Sequence, residues 1–211
     1  MKLMIDQRET QITRRRYQRI SAIYDIIETL AETKYHPWRE HLWAGVRGPE
    51  VLEVGVGTGK NMPFYPDHLS ITAIDLTPGM LVRAQKKKEK LGLGVDLHIG
   101  DVQKLDFNDD TFDAAVATFV FCSVPDPIGG LKELQRVVKS GGQIILMEHV
   151  RSGIPLLGAM MDILNPMMVR IIGANINRPT VDNVRRAGVE IERVEHLGRG
   201  DIFKLIHTRN H

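Results

Sequence analysis

Three glycines at alternate positions, Gly55, Gly57 and Gly59, follow a short apolar run that also contains Glu53. Glycine adopts positive φ and has no Cβ, so a ligand can lie directly on the backbone of such a turn. The stretch therefore predicts the first strand and turn of a nucleotide-binding, doubly wound sheet. A glycine-rich turn that serves only the fold is the simpler alternative.

The spacing of the glycines bears on which nucleotide they bind. A dinucleotide fingerprint requires a glycine where Lys60 stands, and a P-loop requires a glycine in place of Val54 and a hydroxyl in place of Asn61. Both patterns serve phosphates, which helix N-termini bind. Their absence favours a ligand without phosphate and argues against an NAD-binding oxidoreductase.

Two carboxylates support the nucleotide interpretation. Asp75 ends the next apolar run, about 20 residues after the glycines, where this architecture has a ribose-binding acid. Asp101 closes a third apolar run. Because ligands bind at the carboxyl ends of the strands in doubly wound sheets, we expect both carboxylates to lie beside the glycine turn.

Alternating strands and helices must position these residues. Runs typical of strands occupy residues 51–54, 71–75, 95–99, 113–120, 143–147, 189–197 and 202–208. Helical patterns occupy residues 12–30, 79–91 and 180–187, with further helices opening at Pro37 and ending at Ser140-Gly141-Gly142. The order predicts an α/β fold with a doubly wound, Rossmann-like sheet of seven strands, mostly parallel with an antiparallel last strand, and an N-terminal helical cap. Residues 1–48 would form the cap and residues 49–211 the core of a single domain.

Two segments outside the strands have two interpretations each. The first helix carries a basic cluster, Arg14, Arg15, Arg16 and Arg19, which is either a solvated face or a contact for anionic headgroups or an acidic substrate. Residues 155–172 hold four of the nine methionines. They predict either core packing or a deformable apolar wall over an acceptor.

Composition limits the class of protein. The chain has 211 residues, 43% of them hydrophobic and 26% charged, as expected of a soluble globular protein. A net charge of +2 implies no general attraction to nucleic acid. The single Cys122 fits a reducing compartment, and we expect a cytoplasmic protein without a signal peptide or a spanning helix.

Several motifs occur in a familiar order: V-L-E-V-G-V-G-T-G-K-N, T-A-I-D-L-T-P-G-M-L, G-D-V-Q-K-L-D-F, T-F-D-A-A-V-A-T and R-V-V-K-S-G-G. From about Tyr24 to the C-terminus the chain resembles the class I S-adenosylmethionine (SAM) methyltransferases. Three branches are similar: the quinone C-methyltransferases, the bacterial phospholipid N-methyltransferases and a membrane-associated group of thiol S-methyltransferases. The segment V-G-V-G-T-G-K-N-M-P-F-Y-P is most similar to the phospholipid branch.

The resemblance implies SAM as cofactor and S-adenosylhomocysteine (SAH) as product. The residues that would bind them are Tyr24, Glu53, Gly55, Gly57, Gly59, Asn61, Asp75, Leu76, Met80, Asp101, Val102 and Thr118. Glu53 and the glycines would surround the methionine part. Asp75 would take the ribose hydroxyls, and Asp101 would meet the amino edge of the adenine.

His149, which follows the fifth strand, is the predicted base, because a neutral imidazole accepts a proton near pH 7. A hydrogen-bonded structural histidine is the alternative. Acceptor binding is assigned to Tyr17, Glu148, Met160, Asn175 and Arg178. No metal site is expected, since His196 and His207 lack the spacing of metal ligands.

The predicted function is SAM-dependent methylation of an apolar or membrane-associated small acceptor, whether a phospholipid amine, a quinol or a thiol. The alternative is a non-catalytic SAM-binding regulatory protein. The basic first helix and the methionine-rich segment favour a lipid-like acceptor and peripheral membrane contact. The sequence leaves the oligomeric state open.

Overall fold

The computed structural model describes residues 7–20 and 24–211, and the side chains of all of these except residues 20, 24–31 and 172. The helices are α1 Gln7–Ile20, α2 Tyr24–Ala44, α3 Pro78–Leu91, α4 Pro127–Val137, α5 Pro155–Ile172 and α6 Thr180–Ala187, with one 3-10 turn at Met62–Phe64. The strands are β1 Glu50–Val54, β2 Ser70–Asp75, β3 Asp96–Ile99, β4 Phe112–Thr118, β5 Val138–His149, β6 Glu190–Leu197 and β7 Phe203–Arg209.

The seven strands form one sheet in the order β3-β2-β1-β4-β5-β7-β6. Strands β1 to β5 pair in parallel, whereas β7 runs antiparallel to both β5 and β6. The predicted fold class is therefore confirmed. The strand order reverses next to β1, so that β1 and β4 open a crevice at their carboxyl ends, where ligands of such sheets bind.

The core lies on both faces of the sheet. In β4, Ala115 and Ala117 pack into the cluster under α4 and α6, while Ala114 and Val116 pack into the cluster under α2 and α3. All four side chains are fully buried. Burial on both faces explains why this strand reads as an almost continuous apolar run.

The N-terminal helices differ from the prediction. Helix α1 begins at Gln7, earlier than expected, and residues 21–23 within the predicted helix 12–30 lie outside the described residues. Pro37 does not open a helix but lies inside α2. Proline there leaves the carbonyl four residues earlier without its helical donor. Thr33 and Pro37 both lie on the exposed side of α2.

The predicted helix end at Ser140-Gly141-Gly142 is also wrong. Helix α4 ends at Val137, and β5 starts at Val138 without a loop. The glycines form an irregularity within the strand, because the pairing with β4 jumps from Val138 to Gln143. A Cβ on Gly142 would lie only 2.6 Å from the carbonyl oxygen of Asp113, so only glycine fits this close crossing.

Helix α1 lies over the carboxyl edge of the sheet. Its Tyr17 hydroxyl lies 2.6 Å from the Ser123 hydroxyl, and the Gln18 side chain accepts a hydrogen bond of 3.0 Å from the backbone N–H of Gly79. Both partners belong to segments that follow strands. The contacts agree with the predicted cap and bring α1 to the crevice above β1 and β4.

Candidate cofactor and acceptor site

A main cavity opens at the carboxyl ends of β1, β2 and β4. The predicted residues on its wall are Tyr17, Gly55, Gly57, Asp75, Leu76, Met80, Asp101, Val102 and Thr118. An adjoining inner cavity shares Gly55, Gly57 and Thr118 and adds Glu53 and Asn61.

Gly57 leaves room for a ligand at the turn after β1. Its φ of +57° belongs to the left-handed region, and a Cβ added there would meet nothing nearer than the carbonyl oxygen of Gly55 at 4.0 Å. By contrast, a Cβ on Gly59 would lie 2.7 Å from the sulfur of Met62, so Gly59 serves internal packing and does not line either cavity. The backbone of Gly57 is thus open to close approach by a ligand.

Asp75 holds this turn in place. Its two carboxylate oxygens accept hydrogen bonds from the backbone N–H groups of Gly57, at 2.9 Å, and Thr77, at 2.8 Å. Burial raises the pKa of the Asp75 carboxyl, while these two hydrogen bonds oppose the shift. A carboxylate offers about four acceptor positions, so Asp75 retains capacity to bind a ligand hydroxyl.

Asp101 plays a similar part at the end of β3. Its carboxylate accepts a hydrogen bond of 2.9 Å from the backbone N–H of Gln103. The Gln103 amide in turn donates to the Thr10 hydroxyl of α1 at 3.0 Å. Gln103, which the sequence did not single out, therefore connects the first helix to the floor of the main cavity.

Glu53 is a buried carboxylate facing the inner cavity, with only 1% of its surface exposed. It accepts hydrogen bonds from the Tyr65 hydroxyl and, at 2.6 Å, from the Asn61 amide. Burial raises its pKa from 4.5 to about 7, although both hydrogen bonds and the charge of Arg39 oppose the shift. A cation entering the inner cavity would favour the ionised form, as expected for a partner of the ammonium group of SAM.

Arg39 is the residue that holds this arrangement from α2. It is 3% exposed, and its guanidinium donates to the Asn61 side-chain oxygen at 2.6 Å and to Glu32 at 2.7 Å. With its oxygen engaged, the Asn61 amide nitrogen donates to Glu53 at 2.6 Å and to the Thr118 hydroxyl at 3.0 Å. The orientation of Asn61 is thus fixed by Arg39.

Four of the five residues assigned to acceptor binding contact one loop, residues 119–125, most of which lines the main cavity. Tyr17 contacts Ser123 at 2.6 Å, and Glu148 accepts hydrogen bonds of 2.9 Å from the backbone N–H groups of Val120 and Phe121. Asn175 donates to the Cys122 carbonyl at 3.0 Å, and Arg178 donates to the Val124 carbonyl at 2.9 Å. We call these four side chains the loop clamp.

Glu148 lies below the cavity wall rather than in the cavity, because its side chain is fully buried. Burial raises the pKa of its carboxyl to about 7, and the backbone hydrogen bonds of the loop oppose the shift. Asn175 and Arg178 likewise do not line either cavity. Of the loop clamp, only Tyr17 could touch an acceptor in the main cavity directly.

The remaining predicted residues lie outside the two cavities. Met160 is on α5 and 49% exposed. His149 packs edge-on against Phe203, with ring centroids 5.1 Å apart, and its Nδ1 is buried without a hydrogen-bond partner. Burial lowers the pKa of the imidazole, which favours its neutral form. Tyr24 begins α2, but its side chain is outside the described part of the chain.

Sequence reasoning missed Arg39 and Tyr65 as well as Gln103. A signal for Arg39 was present: it lies three and four residues before Leu42 and Trp43, so it shares a helix face with two fully buried apolar side chains. A charge on such a face indicates a buried partner. Tyr65 carried no comparable signal, because its partner Glu53 lies on another element.

Comparison with known proteins identifies the family. A methyltransferase-domain family matches residues 52–146. A demethylmenaquinone methyltransferase of Staphylococcus aureus is 30% identical over 165 residues, which are 74% of this chain and 68% of that protein. The chain therefore belongs to the class I SAM-dependent methyltransferases, whose cofactor is SAM. The open backbone at Gly57 and the buried carboxylate of Glu53 fit that cofactor.

Two further known proteins are similar to this chain. The phosphatidylethanolamine N-methyltransferase of Cereibacter sphaeroides is 40% identical over 131 residues, which are 61% of this chain and slightly less than two thirds, 64%, of that protein. Among solved structures, a SAM-dependent methyltransferase of Thermotoga maritima has a TM-score of 0.73 at 22% identity, over 93% of this chain and 99% of that one. At 22% identity, the similarity to the Thermotoga maritima protein shows that the two chains share a fold.

Proposed function

We propose that the protein methylates the amine headgroup of a membrane phospholipid, with SAM as methyl donor. A row of exposed apolar side chains on α5 supports the choice of a lipid acceptor. The choice of an amine rests on the 40% identity to the Cereibacter sphaeroides enzyme, whose name gives phosphatidylethanolamine as its substrate. A quinol is the second candidate, because the Staphylococcus aureus relative is named for methylation of demethylmenaquinone.

The apolar stripe of α5 consists of Leu156, Met160, Ile163, Leu164, Met167 and Ile171. Their spacings of three, four and seven put them on one face of the helix. Leu156, Ile163 and Ile171 are 84%, 79% and 65% exposed, which is unusual for side chains of this size in one row. Such a face suits the boundary between lipid headgroups and acyl chains.

Positive charge lies near the end of this stripe. Gly173, which ends α5, packs on Arg16 of α1, where a Cβ added to Gly173 would lie 3.4 Å from the Arg16 Cβ. Arg14, Arg15 and Arg19 of the same helix are exposed. Each basic side chain near an anionic membrane contributes about 1 kcal/mol of attraction. None of the described helices combines the length and low charge needed to cross a membrane, so the proposed contact is peripheral.

The protein itself has to bind, align and deprotonate the acceptor. When bound, SAM supplies an activated methyl group on a sulfonium. An amine acceptor must lose its proton before it can act as a nucleophile. The predicted base His149 could accept that proton at Nδ1 only if the packing around it opened, because Nδ1 is buried and His149 lines neither cavity. Glu53 would bind the cofactor's ammonium, and the loop clamp would hold the cavity wall so that the acceptor is aligned for in-line transfer.

The test is turnover with methyl-labelled SAM and a panel of acceptors: vesicles with phosphatidylethanolamine, a quinol, and an alkyl thiol, followed by mass spectrometry. We expect label in the methylated phospholipid. Label in the quinol or thiol alone would refute the amine assignment. SAH binding without label in any acceptor would favour the non-catalytic alternative.

The same vesicles test the role of the apolar stripe. Ile163→Glu should weaken co-sedimentation with anionic vesicles about tenfold or more, since burial of an isoleucine is worth about 1.5–3 kcal/mol. Val82→Glu on α3 is the matched control, because Val82 is also exposed, at 57%, but lies away from the stripe. Equal co-sedimentation of both variants would exclude α5 as the contact.

A further inference from the structure

Four aromatic rings gather beside the cavities, and we call them the aromatic cluster: Tyr35, Trp38, Phe119 and Phe203. Tyr35 lies 4.9 Å from Phe119 and 5.5 Å from Trp38 between ring centroids, and Trp38 lies 5.3 Å from Phe203. The rings come from α2, from the residue after β4 and from the first residue of β7. The cluster therefore depends on three elements that are distant in sequence.

A cation already occupies the cluster. The Lys34 ammonium lies 4.7 Å from the ring centroid of Phe203 and 5.2 Å from that of Trp38. Both distances are within the range of about 6 Å over which a ring face attracts a cation. Lys34 is exposed and has a long flexible stem, so its ammonium can leave this position without disturbing the backbone.

The cluster borders the reaction site on two sides. Phe119 lines both the main and the inner cavity. Phe203 pairs with His149 across β5 and β7 and packs against its imidazole at 5.1 Å. A cation among these rings would thus lie between the cofactor cavities and the imidazole of His149.

Arg39, a second cation near the cluster, does not compete for the same position. The Arg39 guanidinium lies 5.8 Å from the Phe119 centroid, but its hydrogen bonds to Glu32 and Asn61 hold it there. The charge of Lys34 helps to lower the pKa of His149. Another cation in the place of Lys34 would have the same effect on the imidazole.

We propose that the aromatic cluster binds the methylated ammonium group of the reaction product, and that Lys34 gives up its position to it. The inference rests on the proposed amine function and names the recognition element of that site. A fully methylated ammonium donates no hydrogen bond, so aromatic faces are the groups suited to recognise it. In a phospholipid headgroup a phosphate lies two carbons from the nitrogen, where the displaced Lys34 ammonium can pair with it.

Binding of two probes to the SAH-saturated protein, measured by calorimetry, tests the proposal without turnover. Tetramethylammonium carries the cation alone, whereas phosphocholine also carries the phosphate. We expect the wild type to bind phosphocholine more tightly. In Lys34→Met, tetramethylammonium should bind more tightly than in the wild type because its competitor is gone, and the advantage of phosphocholine should disappear.

Ring variants supply the control. Phe203→Leu keeps an apolar side chain but removes the ring, and it should weaken both probes about two- to thirtyfold. Phe107→Leu removes a ring from the core contact with Phe112, away from the cluster, and should leave both affinities unchanged. If Phe203→Leu does not fold, Trp38→Leu at a half-buried position replaces it.

Equal affinities in the two ring variants, or no binding of either probe by the wild type and Lys34→Met, would overturn the proposal. The experiments distinguish failure of the proposed aromatic site from failure of the proposed function. Phospholipid methylation without probe binding would remove the aromatic site and leave the proposed function. Probe binding without methylation of any amine would support the site and refute the function.

Discussion

Replacement of Arg39 by methionine tests whether the cofactor site is held from the N-terminal helix. Methionine and arginine have similar helix propensities, so α2 itself should tolerate the change. The variant removes the donor to the Asn61 oxygen and the cation beside Glu53, both of which are buried. We expect a loss of stability together with a loss of cofactor affinity.

The size of the loss follows from burial. Removing one partner of a buried charge pair costs about 3–5 kcal/mol. The partner carboxylate of Glu32 keeps 23% of its side chain exposed, so water can solvate part of it and the expected loss is near the lower limit, about 3 kcal/mol. Arg185→Met on α6 is the matched control, because its pair with Asp182 is exposed at 64% and 67% and should be worth about 0–1 kcal/mol.

Urea unfolding gives the stability difference, and calorimetric titration with SAH gives the affinity. We expect Arg39→Met to bind SAH about tenfold or more weakly, since a misoriented Asn61 leaves Glu53 without its amide donor, a bond worth about 1.5–3 kcal/mol. A variant as stable as Arg185→Met would refute the argument for the buried network. Full SAH affinity in a destabilised variant would limit Arg39 to a structural role.

The glycine turn and the buried carboxylate of Glu53 give two further predictions. Gly57→Ala and Gly92→Ala both put a Cβ at positive φ into open space, and each should lower the free energy of unfolding by about 1–2 kcal/mol. Only Gly57→Ala should lose SAH binding. Equal SAH affinities of the two variants would mean that the ligand does not approach Gly57. The raised pKa of Glu53 means that the folded state holds the proton of this carboxyl more tightly than the unfolded state does. The free energy of unfolding should therefore fall by about 3 kcal/mol as the pH rises from 4.5 to about 7. The Glu53→Gln variant should lack this part of the fall. Identical pH profiles of unfolding for the wild type and Glu53→Gln would contradict that shift.

The sheet and the cofactor side of the site could be predicted because their signals are local. The apolar runs that form β1, β2 and β4 are contiguous in sequence, and each is followed by glycine, a carboxylate or a hydroxyl at its carboxyl end. In a parallel sheet those ends meet at one edge whatever the details of packing. This is why Gly57, Asp75 and Asp101 lie on the wall of one cavity.

Features that depend on long-range packing could not be predicted in the same way. Pro37 resembles a helix start in sequence, yet it lies inside α2. Gly142 resembles a helix end, yet it marks a close crossing with Asp113 on another strand. The close contact at Gly142 involves atoms that the local sequence does not reveal.

The loop clamp shows how this limit affects the interpretation of function. The polar residues near and after β5 suggested contacts with an acceptor, but Glu148, Asn175 and Arg178 direct their hydrogen bonds to the backbone of residues 119–125. That loop includes Phe119, which belongs to the aromatic cluster, so side chains outside the cavities hold the backbone that follows its ring. Under the two proposals made above, recognition of the lipid headgroup and chains would fall to the ring faces and the apolar stripe. Ring faces suit cationic groups and the stripe suits apolar groups, and neither depends on hydrogen bonds.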